Sequence, residues 1–201
     1  MEIFKYGNIE IEYLKSKDKK LGELIDRIGI IERETDSDLF KALIKSIVGQ
    51  QISNKAAATV WRRFTEKFNS VTPQMIFNTS AEDIQKCGIS MKKALYIKSL
   101  ADTIEAGGLD LEELKNMKDE EVCAKLCSIK GIGVWTAEML MIFSMGRLDV
   151  LSYGDLAIRR GLMKLYHHKT MDKTRFNRYK KRYSPYGSVA SLYLWALSAE
   201  G

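Results

Sequence analysis

The sequence predicts an all-α protein with two helical lobes around a cleft. Along most of the 201 residues the apolar side chains recur three or four positions apart, which is the spacing of one face of an α-helix. Only two prolines interrupt the chain, there is no internal repeat, and almost nothing alternates as a strand does. A largely apolar helix at 134–145 lies between amphipathic helices, and this order indicates two lobes that share a groove.

The chain begins with its least helical segment. Residues 1–15 are expected to be weakly structured, with 9–12 alternating like a short extended segment. The helix over 38–50 has apolar residues at helical spacing, and Thr35 or Ser37 can cap its start.

The next helix is amphipathic and follows Ser53, which is predicted to cap it. The aromatic side chains Trp61, Phe64 and Phe68 fall on one face of this helix, so they are assigned to the core. Glycines and capping residues set most of the remaining boundaries. The predicted helices cover 19–28, 38–50, the segment after Ser53, 73–78, 81–87, 90–106, 110–116, 119–127, 134–145, 156–166, 172–183 and 188–199.

Composition indicates a soluble, intracellular protein. The hydrophobic content of 45% is enough to build a core, but no run of about 18 apolar residues exists to span a membrane. The three cysteines, Cys87, Cys123 and Cys127, lack metal-site spacing and are expected to be reduced thiols. We therefore expect a cytoplasmic monomer without membrane contact, associated with the nucleoid if the organism is a prokaryote.

The net charge of +6 is unevenly distributed along the chain. Eight acidic residues lie within 102–121, whereas ten basic residues lie within 155–182. A chain with this polarity has one face suited to a polyanion, although such a face can also be solvated surface alone. The basic run 173–182 remains open between these two interpretations.

The central stretch of the chain is a helix, a tight hairpin and a second helix. Gly131 and Gly133 allow close approach of the backbone, and the apolar helix begins directly after them. The unpaired N–H groups at the start of that helix can bind an anion such as a phosphodiester.

This hairpin precedes an apolar-flanked Gly-Asp pair by about twenty residues, and the two motifs read IKGIGVWTA and SYGDLAIRRG. Together they resemble the helix-hairpin-helix DNA glycosylases. Two outlying segments, IVGQQISNKAA and SPYGSVASLYLW, are similar to the pocket-lining segments of the alkylation-repair branch, the 3-methyladenine DNA glycosylase II type. The resemblance spans about residues 13–199 and is carried by four motifs in the same order.

The resemblance implies one compact helical glycosylase unit over residues 1–201. Its first lobe would comprise about 35–125. Its second lobe would comprise about 1–34 and 126–201, and would carry both the hairpin and the catalytic aspartate.

Asp155 corresponds to the carboxylate that acts at the sugar in the family. N-glycosidic cleavage develops positive charge on the deoxyribose, which a carboxylate in a pocket of low dielectric stabilises while it orients or deprotonates water. Asp155 can also cap the helix that begins at Leu156, and the two roles are compatible.

Trp135 occupies the position of the lysine that forms a Schiff base in relatives that also cut the strand. Without an amine there, the resemblance implies a monofunctional enzyme that leaves an abasic site. A tryptophan face also suits cationic alkylated purines, which are good leaving groups. A purely structural tryptophan is the alternative.

The other pocket residues are inferred from the same resemblance. Gln50 would face the flipped nucleotide and bond either base or backbone, and Met139 stands where some relatives have an aromatic wall. Tyr186 matches an aromatic residue of the C-terminal segment, with a core role as the alternative. The complete predicted base pocket is Trp135, Gln50, Met139, Tyr153 and Tyr186.

Contacts to the DNA backbone are expected mainly at the hairpin. Gln51 stands where relatives often insert an apolar wedge into the base stack, so Gln51 and Ile52 are both candidates for the plug. The predicted DNA-binding residues are Gln51, Ile52, Lys130, Gly131, Gly133, Thr136 and Arg160.

The resemblance further implies a structural monovalent cation, Na⁺ or K⁺, held by the main-chain carbonyls of Cys127, Ile129 and Ile132. No other cofactor is expected. Related endonucleases carry a four-cysteine iron-sulfur loop near the C-terminus, but here no cysteine follows Cys127.

The sequence therefore predicts a monofunctional DNA N-glycosylase that flips and excises alkylated purines from damaged double-stranded DNA in base excision repair. The alternatives are a glycosylase for deaminated or oxidised bases and a non-catalytic, structure-specific DNA-binding module.

Overall fold

The structure, a computed structural model, describes residues 2–200 and is almost entirely helical over that range. Two strands of two residues each form a small antiparallel pair, in which Glu2 lies opposite Thr35. The elements are β1 Glu2–Ile3, α1 Asn8–Lys17, α2 Lys19–Ile28, β2 Glu34–Thr35, α3 Leu39–Gly49, α4 Asn54–Lys67, α5 Pro73–Phe77, α6 Ala81–Gln85, α7 Met91–Glu105, a 3₁₀ turn Glu113–Asn116, α8 Asp119–Cys127, α9 Val134–Phe143, α10 Leu156–Tyr166, α11 Lys173–Tyr183 and α12 Gly187–Ala199. The predicted all-α class is confirmed.

The chain divides into two compact units. One combines Met1–Asp36 with Met141–Gly201, and the other is Ser37–Leu140. The hairpin at 128–133 therefore groups with the central unit, whereas the sequence placed it in the lobe formed by the two ends. Within that unit, its main-chain carbonyl at Gly131 accepts a hydrogen bond from Gln50.

The N-terminal segment differs from its expected extended form, because Asn8–Lys17 is helix α1. Ile11 and Leu14 lie three positions apart on its buried side, and the backbone N–H of Gly7 donates to Glu10 Oε2 at 2.8 Å. Burial of these residues and the capping contact stabilise a helix that looks largely polar in sequence.

The predicted helix over 110–116 was wrong in its first half. Asp110 Oδ1 accepts hydrogen bonds from the backbone N–H groups of Glu112 at 2.8 Å and Glu113 at 3.2 Å. This local turn competes with helix formation, so only the 3₁₀ turn Glu113–Asn116 follows.

Helix starts follow the capping residues closely. Ser53 caps α4 as predicted, its hydroxyl accepting from Ala56 N at 3.3 Å. For α3 the cap is Asp38, not Thr35 or Ser37, because its carboxylate accepts from Lys41 N at 3.0 Å.

The core of the central unit is built by α3, α4 and α7. The side chains of Leu43, Ile44 and Ile47 on α3 are fully buried. On α4, Phe64 and Phe68 are buried as predicted, but Trp61 is only half-buried and stacks on Phe64 with ring centroids 5.7 Å apart. The core assignment of Trp61 was therefore too strong.

In the other unit, a buried carboxylate organises the ends of three helices. Asp18 caps α2 through Leu21 N at 3.0 Å, and its second oxygen accepts from Tyr166 Oη at 2.5 Å and Arg182 Nη1 at 2.6 Å. Burial alone would raise the pKa of Asp18, but these hydrogen bonds outweigh it and hold the pKa below its usual value. Among residues 2–200, no helix has the length and apolar composition needed to cross a bilayer.

Helices α10 and α12 approach each other at Gly161. A β-carbon at this position would overlap the Leu194 carbonyl oxygen and lie 2.9 Å from its carbon. Only glycine permits this backbone approach, so Gly161 sets the distance between the two helices.

We expect Gly161→Ala to lower the free energy of unfolding by about 1–3 kcal/mol, because the added methyl group forces the helices apart. Urea denaturation followed by circular dichroism measures this loss. Gly49→Ala is the matched control, since its β-carbon would meet only Ala57 Cβ at 3.9 Å and alanine favours the helix. Equal stability of Gly161→Ala and wild type would show that the close approach is not required.

Candidate functional site

The hairpin consists of two consecutive tight turns between α8 and α9. Ile129 N donates to Leu126 O at 3.1 Å, and Ile132 N donates to Ile129 O at 3.0 Å. Ile129 and Ile132 point into the protein and are buried, whereas Lys130 is exposed. The turns thus anchor the hairpin by its apolar residues and present Lys130 to solvent.

Gly131 has a φ of +90°, a conformation that side chains rarely adopt. A β-carbon there would also overlap the ring of Tyr96 on α7. A β-carbon built at Gly133 would meet no atom within 4 Å, and Gly133 is exposed. The requirement for glycine is therefore strict at Gly131, while Gly133 leaves the backbone accessible.

Helix α9 starts immediately after the hairpin. Ala137 N donates to Gly133 O at 3.0 Å, so the N–H groups of the first turn lie at the N-terminal end of the helix. Gly133 and Val134 are exposed, which opens this helix terminus to solvent. Such a terminus is suited to a phosphate oxygen.

The turn between α3 and α4 lies against the hairpin. The Gln50 amide donates from Nε2 to Gly131 O at 2.7 Å, so the side chain is tied to the main chain of the hairpin. Gln51 follows with a φ of +57°, which is uncommon for a residue other than glycine. Gln51 is exposed, and Ile52 is 39% exposed.

An open cavity of about 600 Å³ lies within the central unit, between this turn and the start of α9. Its volume is in the range of small-molecule sites and would accommodate a purine base. The lining residues are Lys45, Ser46, Gly49, Gln50, Gln51, Gly131, Trp135 and Thr136.

Trp135 lines the cavity with a side chain that is 48% exposed, whereas Thr136 beside it is buried. Met139, one helical turn later, is half-buried and is not among the lining residues. The structure thus brings together Trp135, Gln50, Gln51, Gly131 and Thr136, and it leaves Met139 outside their cavity.

Asp155 lies in the other unit and is 7% exposed. Its Oδ1 accepts from Ile158 N at 2.9 Å, which makes it the N-cap of α10. Arg159 N also donates to Asp155 O at 3.2 Å. The carboxylate is therefore fixed by the first turn of the helix that follows it.

Tyr153 and Arg159 form a small cluster near this cap. The Arg159 guanidinium lies 5.2 Å from the centre of the Tyr153 ring, and Phe176 meets the same ring edge-on at 5.2 Å. Tyr153 is half-buried and Arg160 is exposed. Tyr153 is thus held between a cation and an aromatic edge.

Tyr186 is half-buried and packs edge-on against Tyr13, with ring centroids 5.1 Å apart. The chain around it is fastened by Asp149, which accepts from Ser184 Oγ at 2.5 Å and Gly187 N at 3.1 Å. These contacts are structural and give Tyr186 a packing role in its own unit.

The expected monovalent cation would be held by main-chain carbonyl groups of the hairpin. Ile129 O already accepts one hydrogen bond, from Ile132 N, and a carbonyl oxygen has a second lone pair. Backbone carbonyl oxygens coordinate K⁺ in the selectivity filters of ion channels, so they suit a monovalent cation. The donor set at Cys127, Ile129 and Ile132 therefore fits a monovalent cation.

A family model described as HhH-GPD superfamily base excision DNA repair protein matches residues 44–185 of the chain. This range covers both the hairpin and Asp155. The chain belongs to the HhH-GPD superfamily.

Individual HhH-GPD relatives extend the match to nearly the whole chain. DNA-3-methyladenine glycosylase 1 of Schizosaccharomyces pombe is 32% identical over 96% of this chain and 86% of its own length. The crystal structure of a DNA-3-methyladenine glycosidase from Bacillus halodurans has a TM-score of 0.90 at 36% identity, covering 100% of this chain and 94% of that one. A Schizosaccharomyces pombe 3-methyladenine DNA glycosylase in complex with abasic DNA has a TM-score of 0.81 at 31% identity. The match covers 94% of this chain and 95% of that one.

Five residues at the cavity and the hairpin were missed by the sequence analysis. Lys45, Ser46 and Gly49 line the cavity, Tyr96 supports Gly131, and Lys93 bonds the end of α3. The helical spacing of Ser46 and Gln50 could have indicated Ser46, since residues four apart share a face. Tyr96 and Lys93 carry no such signal, because they act on residues far away in sequence.

Proposed function

We propose that this protein is a monofunctional DNA glycosylase that excises alkylated purines of the 3-methyladenine and 7-methylguanine class and leaves an abasic site for base excision repair. The observation that carries the proposal is the half-exposed indole of Trp135 on the wall of a base-sized cavity beside the hairpin. Membership of the HhH-GPD superfamily and two relatives named for 3-methyladenine support the substrate class.

DNA binding is proposed to start at the hairpin. The open start of α9 and the exposed Lys130 can hold one phosphate through hydrogen bonds and charge, a contact that positions DNA without reading its sequence. Gly133 lets the DNA backbone approach closely. Arg160 is proposed as a further phosphate contact, supported by its exposure.

The carbonyls of Cys127, Ile129 and Ile132 are proposed to hold a monovalent cation. When bound, the ion would add positive charge beside the phosphate. The two turns of the hairpin, closed by Ile129 N to Leu126 O and Ile132 N to Ile129 O, contain all three carbonyls.

Stacking on Trp135 is proposed to hold the extruded base. About half of an aromatic surface of roughly 200 Å² is available, and at about 25 cal/mol per Å² its burial is worth about 2.5 kcal/mol. Base extrusion costs a few kcal/mol, and less for a damaged base. Stacking therefore offsets much of the extrusion cost, and a cationic purine gains further from the ring face.

Gln51 and Ile52 are proposed to occupy the gap left in the duplex. Their exposure and the unusual backbone of Gln51 support this role, because a residue held in a rare conformation at a surface turn is often functional. A glutamine amide can also bond the base left unpaired, which an apolar wedge cannot.

Asp155 is proposed as the catalytic carboxylate. Its burial strengthens its electrostatic interaction with the positive charge that develops on the sugar, and its cap contact keeps it in place without reorganisation. An alkylated purine leaves as a neutral base, so the reaction needs a water nucleophile but no separate acid. Tyr153, held by Arg159 and Phe176, is proposed as a wall near the same motif.

Release of free bases from methylated duplex DNA tests the function directly. We expect 3-methyladenine and 7-methylguanine in the supernatant, measured by chromatography. Duplexes with hypoxanthine or 8-oxoguanine run in parallel. Release from these alone would favour a different glycosylase, and binding without any release would favour a non-catalytic module.

Strand cleavage is expected to be absent. Trp135 stands in place of the lysine that forms a Schiff base, so the protein has no amine at that position. Incubation with abasic DNA and sodium borohydride should therefore yield no covalent protein–DNA adduct on a denaturing gel. An adduct that depends on active protein would overturn the monofunctional assignment.

We expect Asp155→Asn to lower the rate of base release by about 10²–10³-fold, because it removes the charge at the reacting sugar. Asparagine is also a good N-cap, so α10 should keep its start and DNA affinity should change little. Single-turnover release and binding to an abasic duplex measure the two quantities separately. An unchanged release rate would place the chemistry on another residue.

A further inference from the structure

Lys93 reaches from α7 to the end of α3. Its ammonium group donates to Val48 O at 2.8 Å and to Gln50 O at 2.6 Å. Both carbonyls lie where α3 ends, and neither can be satisfied by a further turn of that helix. The Lys93 ammonium group thus supplies hydrogen bonds to these carbonyls that a further turn of α3 would otherwise make.

The position of Lys93 within its own helix is electrostatically unfavourable. It lies in the first turn of α7, where Ser90 caps through Lys93 N at 3.4 Å, and a cation there opposes the helix dipole. Burial of the ammonium group also lowers the pKa of Lys93. Stability of α7 therefore does not explain a lysine here, whereas the carbonyls of α3 do.

The contacts of Lys93 continue into the proposed DNA-binding surface. Gln50, whose carbonyl Lys93 holds, donates from its side chain to Gly131 O at 2.7 Å. Gln51 comes next, with its φ of +57°, and begins the exposed turn before α4. One ammonium group thus fixes the residue that both joins the hairpin and precedes the candidate plug.

We propose that Lys93 is a positioning residue for base extrusion: its ammonium group locks the α3–α4 turn in the conformation that presents Gln51 to the duplex. This inference rests on the proposed glycosylase function. Lys93 does not touch the substrate in this scheme. It removes the need to order the turn when DNA binds, so its contribution appears only when a paired base must be displaced.

The test compares one lesion in two contexts, 7-methylguanine opposite cytosine and 7-methylguanine unpaired in a bulge. An unpaired base costs less to extrude, so rates on the bulge report mainly on the chemical step. We expect Lys93→Met to slow single-turnover release from the paired duplex by about tenfold or more, the size expected for lost charge-assisted hydrogen bonds. Release from the bulge should stay within about twofold of wild type, because extrusion no longer limits it.

Two further variants make the result specific. Lys93→Arg keeps the charge and should restore part of the rate on the paired duplex. Lys86→Met is the matched control, because it removes one charge from the same unit at a side chain that is 70% exposed and pairs with Asp83 at 2.9 Å on the surface. It should behave as wild type in both contexts.

The outcomes separate the two proposals. No release by wild type from either substrate overturns the glycosylase function and the role of Lys93 with it. Normal release by wild type, with Lys93→Met unaffected or equally slow in both contexts, overturns Lys93 alone, since equal slowing is what general destabilisation produces. If circular dichroism shows Lys93→Met unfolded, Lys93→Gln replaces it and must show the same selective loss.

Discussion

The backbone of Gly131 is the constraint on which the central unit's candidate site depends. Its φ of +90° turns the chain so that its carbonyl meets the Gln50 amide while its α-carbon rests against the Tyr96 ring. A side chain would be strained by the backbone and blocked by the ring at the same time. The hairpin is therefore held by two neighbours that are far away in sequence, one from α3 and one from α7.

This arrangement determines where α9 begins and what its first turn presents. Because the hairpin is fixed by Gln50 and Tyr96, the first turn of α9 brings Thr136 and the Trp135 indole to the wall of the cavity. An indole that is 48% exposed leaves apolar surface in water, which folding alone would tend to bury. The exposed indole is more easily understood as a preformed surface for a planar ligand.

Local sequence signals predicted the helices well where a capping residue is followed by apolar residues at helical spacing. Ser53 caps α4 and Asp155 caps α10 as expected. The signal failed for α1, whose apolar residues are few, and before the 3₁₀ turn, where Asp110 bonds the backbone instead. In both cases a side-chain hydrogen bond to the backbone decides the local structure. It supports a helix at α1, where apolar residues are few, and it prevents one at Asp110.

The candidate site was predictable only in part for a related reason. Motifs identify residues that occupy fixed positions in the chain, such as Trp135, Gln50 and Asp155. They do not identify Lys93 or Tyr96, whose partners Gln50 and Gly131 are set by how helices pack. The contact of the Gln50 amide with the Gly131 carbonyl is likewise set by packing, and the motif around Gln50 does not reveal it.

In the other unit, the placement of Asp155 is coupled to helix packing in the same way. Its carboxylate is oriented by Ile158 N, so the orientation is only as firm as the first turn of α10. That helix is held through Ile158 and Leu162, which are fully buried, and through Gly161, which meets the Leu194 carbonyl on α12. A carboxylate that stabilises developing charge is effective only if it does not have to reorganise during the reaction. The glycine contact between α10 and α12 thus helps to hold in place the helix whose first turn orients the Asp155 carboxylate.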